Sequence, residues 1–380
     1  RRQRQMCIRD RNMGIKSPKY GHHVNDINDF LIKEKLNELK SNIDNSKKDF
    51  KAVGFIGGPP CPDFSVGGKN RGKEGENGRL SGTYTDLICK TKPDFFLFEN
   101  VKGLWRTKKH REFYESLKEK FKENGYLLTE RLINSIEYGV PQDRDRIILI
   151  GFHKKYLSAN KYKVNGTPFL WNFDWDFGIK YDKEKIFDLP WQKTEQFVED
   201  SLKLKPSVVP EELTIQYWFE KNDILNHENQ SKHFTPKAGL AKFLSVDEGD
   251  DSKKSYKRLH RWRYSPTAAY GNNEVHLHPY KARRISVAEA LAIQSLPKEF
   301  IIPNNITLTN SFKAIGNGVP YLAATGLAVT ILNFFNGFVD KKYKLNGEIN
   351  GTKHSLIYKP VTKAKQLSVL EPEEQRAYSN

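Results

Sequence analysis

Apolar positions along this chain alternate between helical and strand periods. In YGHHVNDINDFLIKEKLNELKSNI (20–43), a short strand-like piece gives way at Asp26 and Asn28, both good N-caps, to a helix with Leu31, Leu36, Leu39 and Ile43 near one face. KAVGFIGG (51–58) predicts a buried strand, and the apolar run at 94–98 predicts a second one covered on both faces. HREFYESLKEKFKENGY (110–126) predicts an amphipathic helix with Phe113, Leu117 and Phe121 in register and Gly125 as its stop. YLLTERLIN and RIILIGF add two strands. Alternating elements of this kind predict an α/β fold: a mostly parallel sheet with helices on both faces, which binds ligands at the carboxyl ends of its strands.

Further on, Phe169, Trp171, Phe173, Trp175 and Phe177 recur at every second position and predict a strand with one packed face. Ser286 and Glu289 have capping-box spacing, which specifies a helix start. Residues 340–380 show little apolar periodicity and several lysines, which predicts a partly ordered tail.

The chain has 380 residues, enough for a sizeable core and about two domains. No run of about 18 apolar residues occurs and no secretory leader is visible, so no membrane partner is expected and the cytoplasm is the expected compartment. Three cysteines without metal-like spacing argue against a disulfide framework or a metal site. Lys and Arg number 63 against 46 Asp and Glu, a net charge of +17 that suits a polyanionic partner or a solubility bias. Residues 1–11, RRQRQMCIRDR, carry five Arg and one Asp and read as a non-native leader, leaving +13 for the rest.

Candidate chemistry gathers near predicted strand ends. In GFIGGPPCPDFSVGG (54–68), glycines permit a tight turn and Pro59, Pro60 and Pro62 stiffen the loop holding Cys61, a nucleophile if it is not a small core residue. Glu99 and Asn100 follow one strand, where a Glu can also cap a helix. Gln142, Arg144 and Arg146 precede another, where QDRDR can also be a solvated turn. A thiolate, a carboxyl group and a fixed cation in one crevice suit chemistry on an electron-poor ring.

At these residues the chain resembles the cytosine-C5 DNA methyltransferases. PPCPDFS resembles their nucleophile loop, ENV their glutamate motif and QDRDR their Gln-x-Arg-x-Arg motif. RRISVAEALAIQSLP (283–297) and KAIGNGVPYLAATGLA (313–328) resemble the two motifs after the target-recognition region, and VNDI a short acidic motif. Pro62, Asp63, Gly318 and Ala288 depart from residues common in the family.

The resemblance implies a Rossmann-like S-adenosylmethionine-dependent methyltransferase domain at 12–154 and 265–338, with a smaller target-recognition domain at 155–264 and a tail at 339–380. It implies that Cys61 attacks C6 of a flipped cytosine, Glu99 donates to N3, Arg146 binds O2 and Arg144 supports the loop. Pro60, Asn100 and Gln142 would then line the substrate. Asp26, Leu80 and Asn317 would meet the cofactor, S-adenosylmethionine, though a helix cap, a core leucine and a turn asparagine are the plain alternatives. No metal is implied. Lys253, Lys254, Lys257, Arg258, Arg261 and Arg263 in SKKSYKRLHRWRY would neutralise phosphates of double-stranded DNA, or form a solvated linker. A restriction endonuclease acting on the same site is the partner such a role implies. The family's opening strand and Phe-x-Gly-x-Gly loop have no counterpart here, so a truncated cofactor pocket is expected. A tRNA substrate and a non-catalytic nucleic-acid-binding role are the alternative readings.

Overall fold

The computed structural model describes residues 12, 18–21, 23, 25–59, 76–160, 162, 173–236, 239–253, 255–268, 270 and 275–336. Residues 1–11, Pro60, Cys61, Phe169, Trp171, Lys254 and the tail from 337 lie outside them. Packing divides the chain into two units, one of Val24–Ile133, Asp145–Asp176 and Leu332–Asn380, the other of Arg1–His23, Asn134–Arg144 and Phe177–Ile331.

The first unit holds a four-stranded sheet of β1 (Gly54–Gly57), β2 (Phe95–Val101), β3 (Tyr126–Asn134) and β4 (Asp145–His153), in the order β1-β2-β4-β3. β1 pairs with β2 in parallel, and β2 pairs with β4 antiparallel from Phe95 opposite Phe152 to Val101 opposite Arg146. The sheet is therefore mixed, where the sequence pattern predicts a mostly parallel one. A parallel return needs a crossover of a dozen or more residues, usually a helix, whereas residues 135–144 between β3 and β4 contain only a 3-10 turn.

One face of the sheet packs on α3 (Lys108–Glu123) and α2 (Glu76–Thr91). Phe96, Phe98, Ile147 and Leu149 meet Tyr114, Leu117 and Phe121 from α3 and Ile88 from α2, and the Phe96 ring stacks on Phe121 with centroids 4.1 Å apart. Gly125 follows α3 in the left-handed region at φ 90°, which glycine adopts without cost. Phe152 instead meets Phe173 and Phe334, with centroids 6.1 and 4.4 Å away.

Two local expectations change. Asp26 caps a 3-10 turn, Ile27–Leu31, and extended backbone at Ile32 separates it from the helix proper, α1 (Lys33–Asp49). In the aromatic run, Phe173 and Trp175 are buried and Asp174 exposed as alternation requires, yet residues 175–178 form a turn rather than a strand. Asp174 is the cause, because its carboxylate accepts the Asp176 N–H at 3.2 Å and offers the backbone a local alternative to a ladder.

The second unit contains α4 (Ile215–Lys221), α5 (Val287–Ile293), α6 (Leu308–Asn317) and most of α7 (Tyr321–Asn336). One core joins Ile215 and Trp218 to Leu259, Tyr270, Leu291 and Phe312, so it continues across the 264/265 boundary expected from sequence. Packing therefore groups 265–331 with the stretch before it, because α4 finds its apolar partners on α5 and α6. Both capping-box bonds at Ser286 and Glu289 are present. The segment Leu308–Asn336 is long and apolar enough in composition to cross a membrane, but Gly318, Val319 and Pro320 split it into α6 and α7.

Candidate active site

Glu99 lies within β2, two residues before its end, rather than just past it. It stands opposite Ile148 while Arg146 stands opposite Val101, so the two occupy diagonal positions on one face of an antiparallel pair. Arg146 Nε donates to Glu99 Oε1 at 2.9 Å, and its Nη1 donates to the Asp145 carbonyl at 2.7 Å. The second Glu99 oxygen faces Gly58, where a Cβ would lie only 2.7 Å from Oε2. Gly58 leads directly into Pro59, Pro60 and Cys61, so the carboxylate sits beneath the first residue of the candidate nucleophile loop.

Asn100 points to the opposite face, as strand alternation dictates, and is buried. Its Oδ1 accepts the Val101 N–H, while Nδ2 has no partner among the described residues. Its side chain thus leaves the sheet on the face opposite the one that carries Glu99 and Arg146.

Gln142 and Arg144 belong to the other unit and are also buried. The Gln142 amide accepts from Ala268 N–H at 3.1 Å and donates to the Ile293 carbonyl and Gln294 Oε1 at 3.4 Å each. With both ends engaged and no exposed surface, Gln142 braces this unit. Arg144 donates to the carbonyls of Ala268 at 3.2 Å, Gly316 at 3.0 Å and Gly318 at 3.2 Å. It therefore clamps the turn whose exposed middle residue is Asn317. Gly316 is required there, since a Cβ would come within 2.9 Å of Tyr270 N.

Asp26 is linked to α2, the helix that carries Leu80, through a short chain of hydrogen bonds. Asp26 Oδ1 accepts the Asn28 N–H and amide, Asn28 Oδ1 accepts the Thr83 hydroxyl at 2.7 Å, and Thr83 lies three residues from half-buried Leu80 on α2. Asp26 is exposed and its Oδ2 takes no hydrogen bond among the described residues. An outward carboxylate oxygen suits the amine of an aromatic ring, so Asp26 fits the adenine end of the implied cofactor.

The basic segment divides in an unexpected way. Arg258 is fully buried: Nε donates to the Val246 carbonyl at 2.7 Å, Nη1 to those of His278 at 2.5 Å and Lys281 at 3.0 Å, and Nη2 to that of Phe243. Burial pulls its pKa down to about 10. Arg261 forms a fork on buried Glu248, with Nε to Oε1 at 2.8 Å and Nη2 to Oε2 at 2.9 Å. Burial pushes the Glu248 carboxyl up, but its bonds to Arg261 prevail and hold it below its ordinary value. Each guanidinium spends four of its five N–H donors inside the protein and is buried, so the structure places both in the core rather than on a surface open to DNA phosphates. Lys253 is exposed, and Lys257 and Arg263 are half-buried. Sequence reasoning missed Glu248, whose only signal is an acid 13 residues before an arginine.

Comparison with known proteins agrees with this arrangement. Residues 21–333 match the C-5 cytosine-specific DNA methylase family. The chain is 55% identical over 329 residues to the type II methyltransferase M.NmeDI of Neisseria meningitidis serogroup C, covering 87% of this chain and 75% of that protein. It is 28% identical over 329 residues to M.FnuDI of Fusobacterium nucleatum, covering 84% and 85%. Its fold is similar to the crystal structure of a candidate DNA modification methyltransferase from an E. coli prophage, with a TM-score of 0.56 at 21% identity over 87% of this chain and 89% of that one. The mixed sheet bearing Glu99 and Arg146, and the match across most of the sequence, place the chain in the C-5 cytosine-specific DNA methylase family.

Proposed function

We propose that the chain methylates C5 of a cytosine flipped out of duplex DNA, with Cys61 as the covalent nucleophile. The observation that carries this reading is the Glu99–Arg146 pair held against Gly58 at the start of the Cys61 loop. The Cys61 thiolate adds to C6, and the displaced ring electrons build charge on O2 and N3. Arg146 meets O2, and Glu99 donates to N3 once its carboxyl group carries a proton, so the charge is offset where it develops. C5 becomes nucleophilic and takes the methyl group. Transfer of the C5 proton to solvent water then allows the ring electrons to return and expel the thiolate.

S-adenosylmethionine, when bound, supplies the methyl as an electrophilic sulfonium substituent. Asp26 and Leu80 would hold its adenine end. Arg144 acts within its own unit, fixing the turn that displays Asn317, the residue proposed for the methionine part of the cofactor. Flipping costs on the order of a few kcal/mol in lost stacking and pairing, supplied by contacts to DNA elsewhere. The type II relatives support a place in restriction-modification; a cognate endonuclease acting on the same site, with no direct contact implied, and work in the cytoplasm on nucleoid DNA complete the proposal.

The test is trapping on duplex DNA containing 5-fluorocytosine, with S-adenosylmethionine present, using protein expressed from its full reading frame. A covalent adduct that survives denaturation and disappears in Cys61→Ala is expected. An adduct unaffected by that change, or none at all, would overturn the mechanism.

A further inference from the structure

We propose that Leu202 and Leu204 form an apolar tip that meets base edges in a groove of the duplex and helps set which sequence is methylated. The inference rests on duplex DNA being the substrate, as argued above. Both side chains are almost fully exposed, at 99% and 96%, and Val198 and Val208 flank them with more than half their surface open. Such leucines pack against nothing in their own unit, yet the backbone that carries them is tightly held.

Asp200 starts the segment in the left-handed region at φ 52°, its N–H donating to the Tyr280 carbonyl at 2.8 Å and its carboxylate pairing with Lys281 at 2.7 Å. Arg261 Nη1 donates to the Ser201 carbonyl at 2.5 Å and Nη2 to its hydroxyl at 3.0 Å. Trp262 Nε1 donates to the Lys203 carbonyl at 3.2 Å, and Lys203 Nζ reaches Glu195 at 2.9 Å and buried Glu248 at 3.0 Å. Ser201 and Lys203 are thus tied inward, and alternation along the segment turns Leu202 and Leu204 outward. A tip fixed before binding loses little conformational freedom on contact.

Charge decides the occupant. The strap's own cations are spent, Lys203 on two carboxylates and Lys205 on Glu211, so the tip cannot itself grip phosphate. Its supports are different: Lys193, Lys257 and Arg263 form no ion pair with a carboxylate among the described residues. Thr194 and Arg263 both donate to the Gly249 carbonyl at 3.2 Å, and Glu195 bridges to Glu248, so these cations stand on the same segments that hold the strap. Cations able to reach phosphates around an apolar tip able to reach thymine methyl groups match the two kinds of contact a DNA reader makes. Arg261 then influences DNA from the inside, by aiming the strap.

The experiment begins by incubating the wild-type protein with unmethylated bacterial genomic DNA and S-adenosylmethionine, and mapping new methylcytosines by bisulfite sequencing. Binding of a duplex bearing the mapped site, and of a scrambled duplex, is then compared for wild type, Leu202→Ser/Leu204→Ser and Leu202→Met/Leu204→Met. The serine variant is expected to weaken binding of the mapped duplex roughly tenfold or more, with the scrambled duplex and the KM for S-adenosylmethionine unchanged. The methionine variant should keep most of the affinity. Equal affinity of wild type and serine variant for the mapped duplex overturns the proposal, as does a wild-type dimer in sedimentation that the serine variant abolishes, since a second copy is then the occupant. If the wild type methylates no duplex at all, the substrate reading fails first and takes this inference with it, so the two failures are distinguishable.

Discussion

Replacing Arg258 with methionine separates a structural cation from a DNA-binding one. The substitution keeps much of the side chain's length and removes every donor from a guanidinium that now serves the carbonyls of Phe243, Val246, His278 and Lys281. Losing a charged donor costs about 1.5–3 kcal/mol for each buried acceptor, an upper bound on the order of 6–12 kcal/mol for four. Several kcal/mol return because a buried cation no longer has to be desolvated. The net destabilisation expected is about 2–5 kcal/mol. Hydrogen exchange read by mass spectrometry across 243–285 should therefore accelerate by roughly 30- to 5,000-fold, with the sheet unit far less affected. If exchange is unchanged while DNA binding weakens and its salt dependence drops by about one phosphate contact, Arg258 faces the solvent and the reasoning is wrong.

Other outcomes follow from the site and the core. Glu99→Gln and Arg146→Gln should each lower single-turnover methyl transfer by about 10²- to 10³-fold with little change in DNA affinity, measured with radiolabelled S-adenosylmethionine. Burial, and then Lys257, depress His276 to about 3 from an ordinary 6.5. It is neutral in both states above pH 6.5, whereas below that value only the unfolded chain takes up the proton. Its share of stability should fall by up to ~1.4 kcal/mol per pH unit as pH drops from 6.5 towards 3, and urea titrations of His276→Met should show a shallower slope. Gly316→Ala should cost about 1–3 kcal/mol by pushing Tyr270 aside, and should raise the KM for S-adenosylmethionine by disturbing the turn around Asn317.

Elements governed by local rules were legible in the sequence. The strand at 126–134 and the capped helix start at Ser286 obey period and cap chemistry that a short window contains. Glu99 and Arg146 were legible as candidates, but their diagonal meeting depends on β4 lying antiparallel to β2, and no window contains that pairing. SKKSYKRLHRWRY misleads for a related reason. A run of cations reads as solvated unless its acceptors are visible, and Arg258 binds backbone carbonyls that every residue possesses. Gln142 is hidden likewise, since its partners Ala268 and Gln294 lie more than 120 residues away.

The break between Arg144 and Asp145 has a practical meaning for engineering. Following the chain, the backbone passes from one packing unit to the other five times, and one passage cuts through QDRDR between its two arginines. No single continuous fragment contains either unit, so neither can be excised as a cassette for expression or domain exchange. Swapping recognition properties between relatives calls for grafting surface segments, such as the strap at 200–205, onto an uninterrupted host. The motif must also keep its length: a one-residue slip in β4 would turn Arg146 away from Glu99 while Arg144 stayed anchored to its turn.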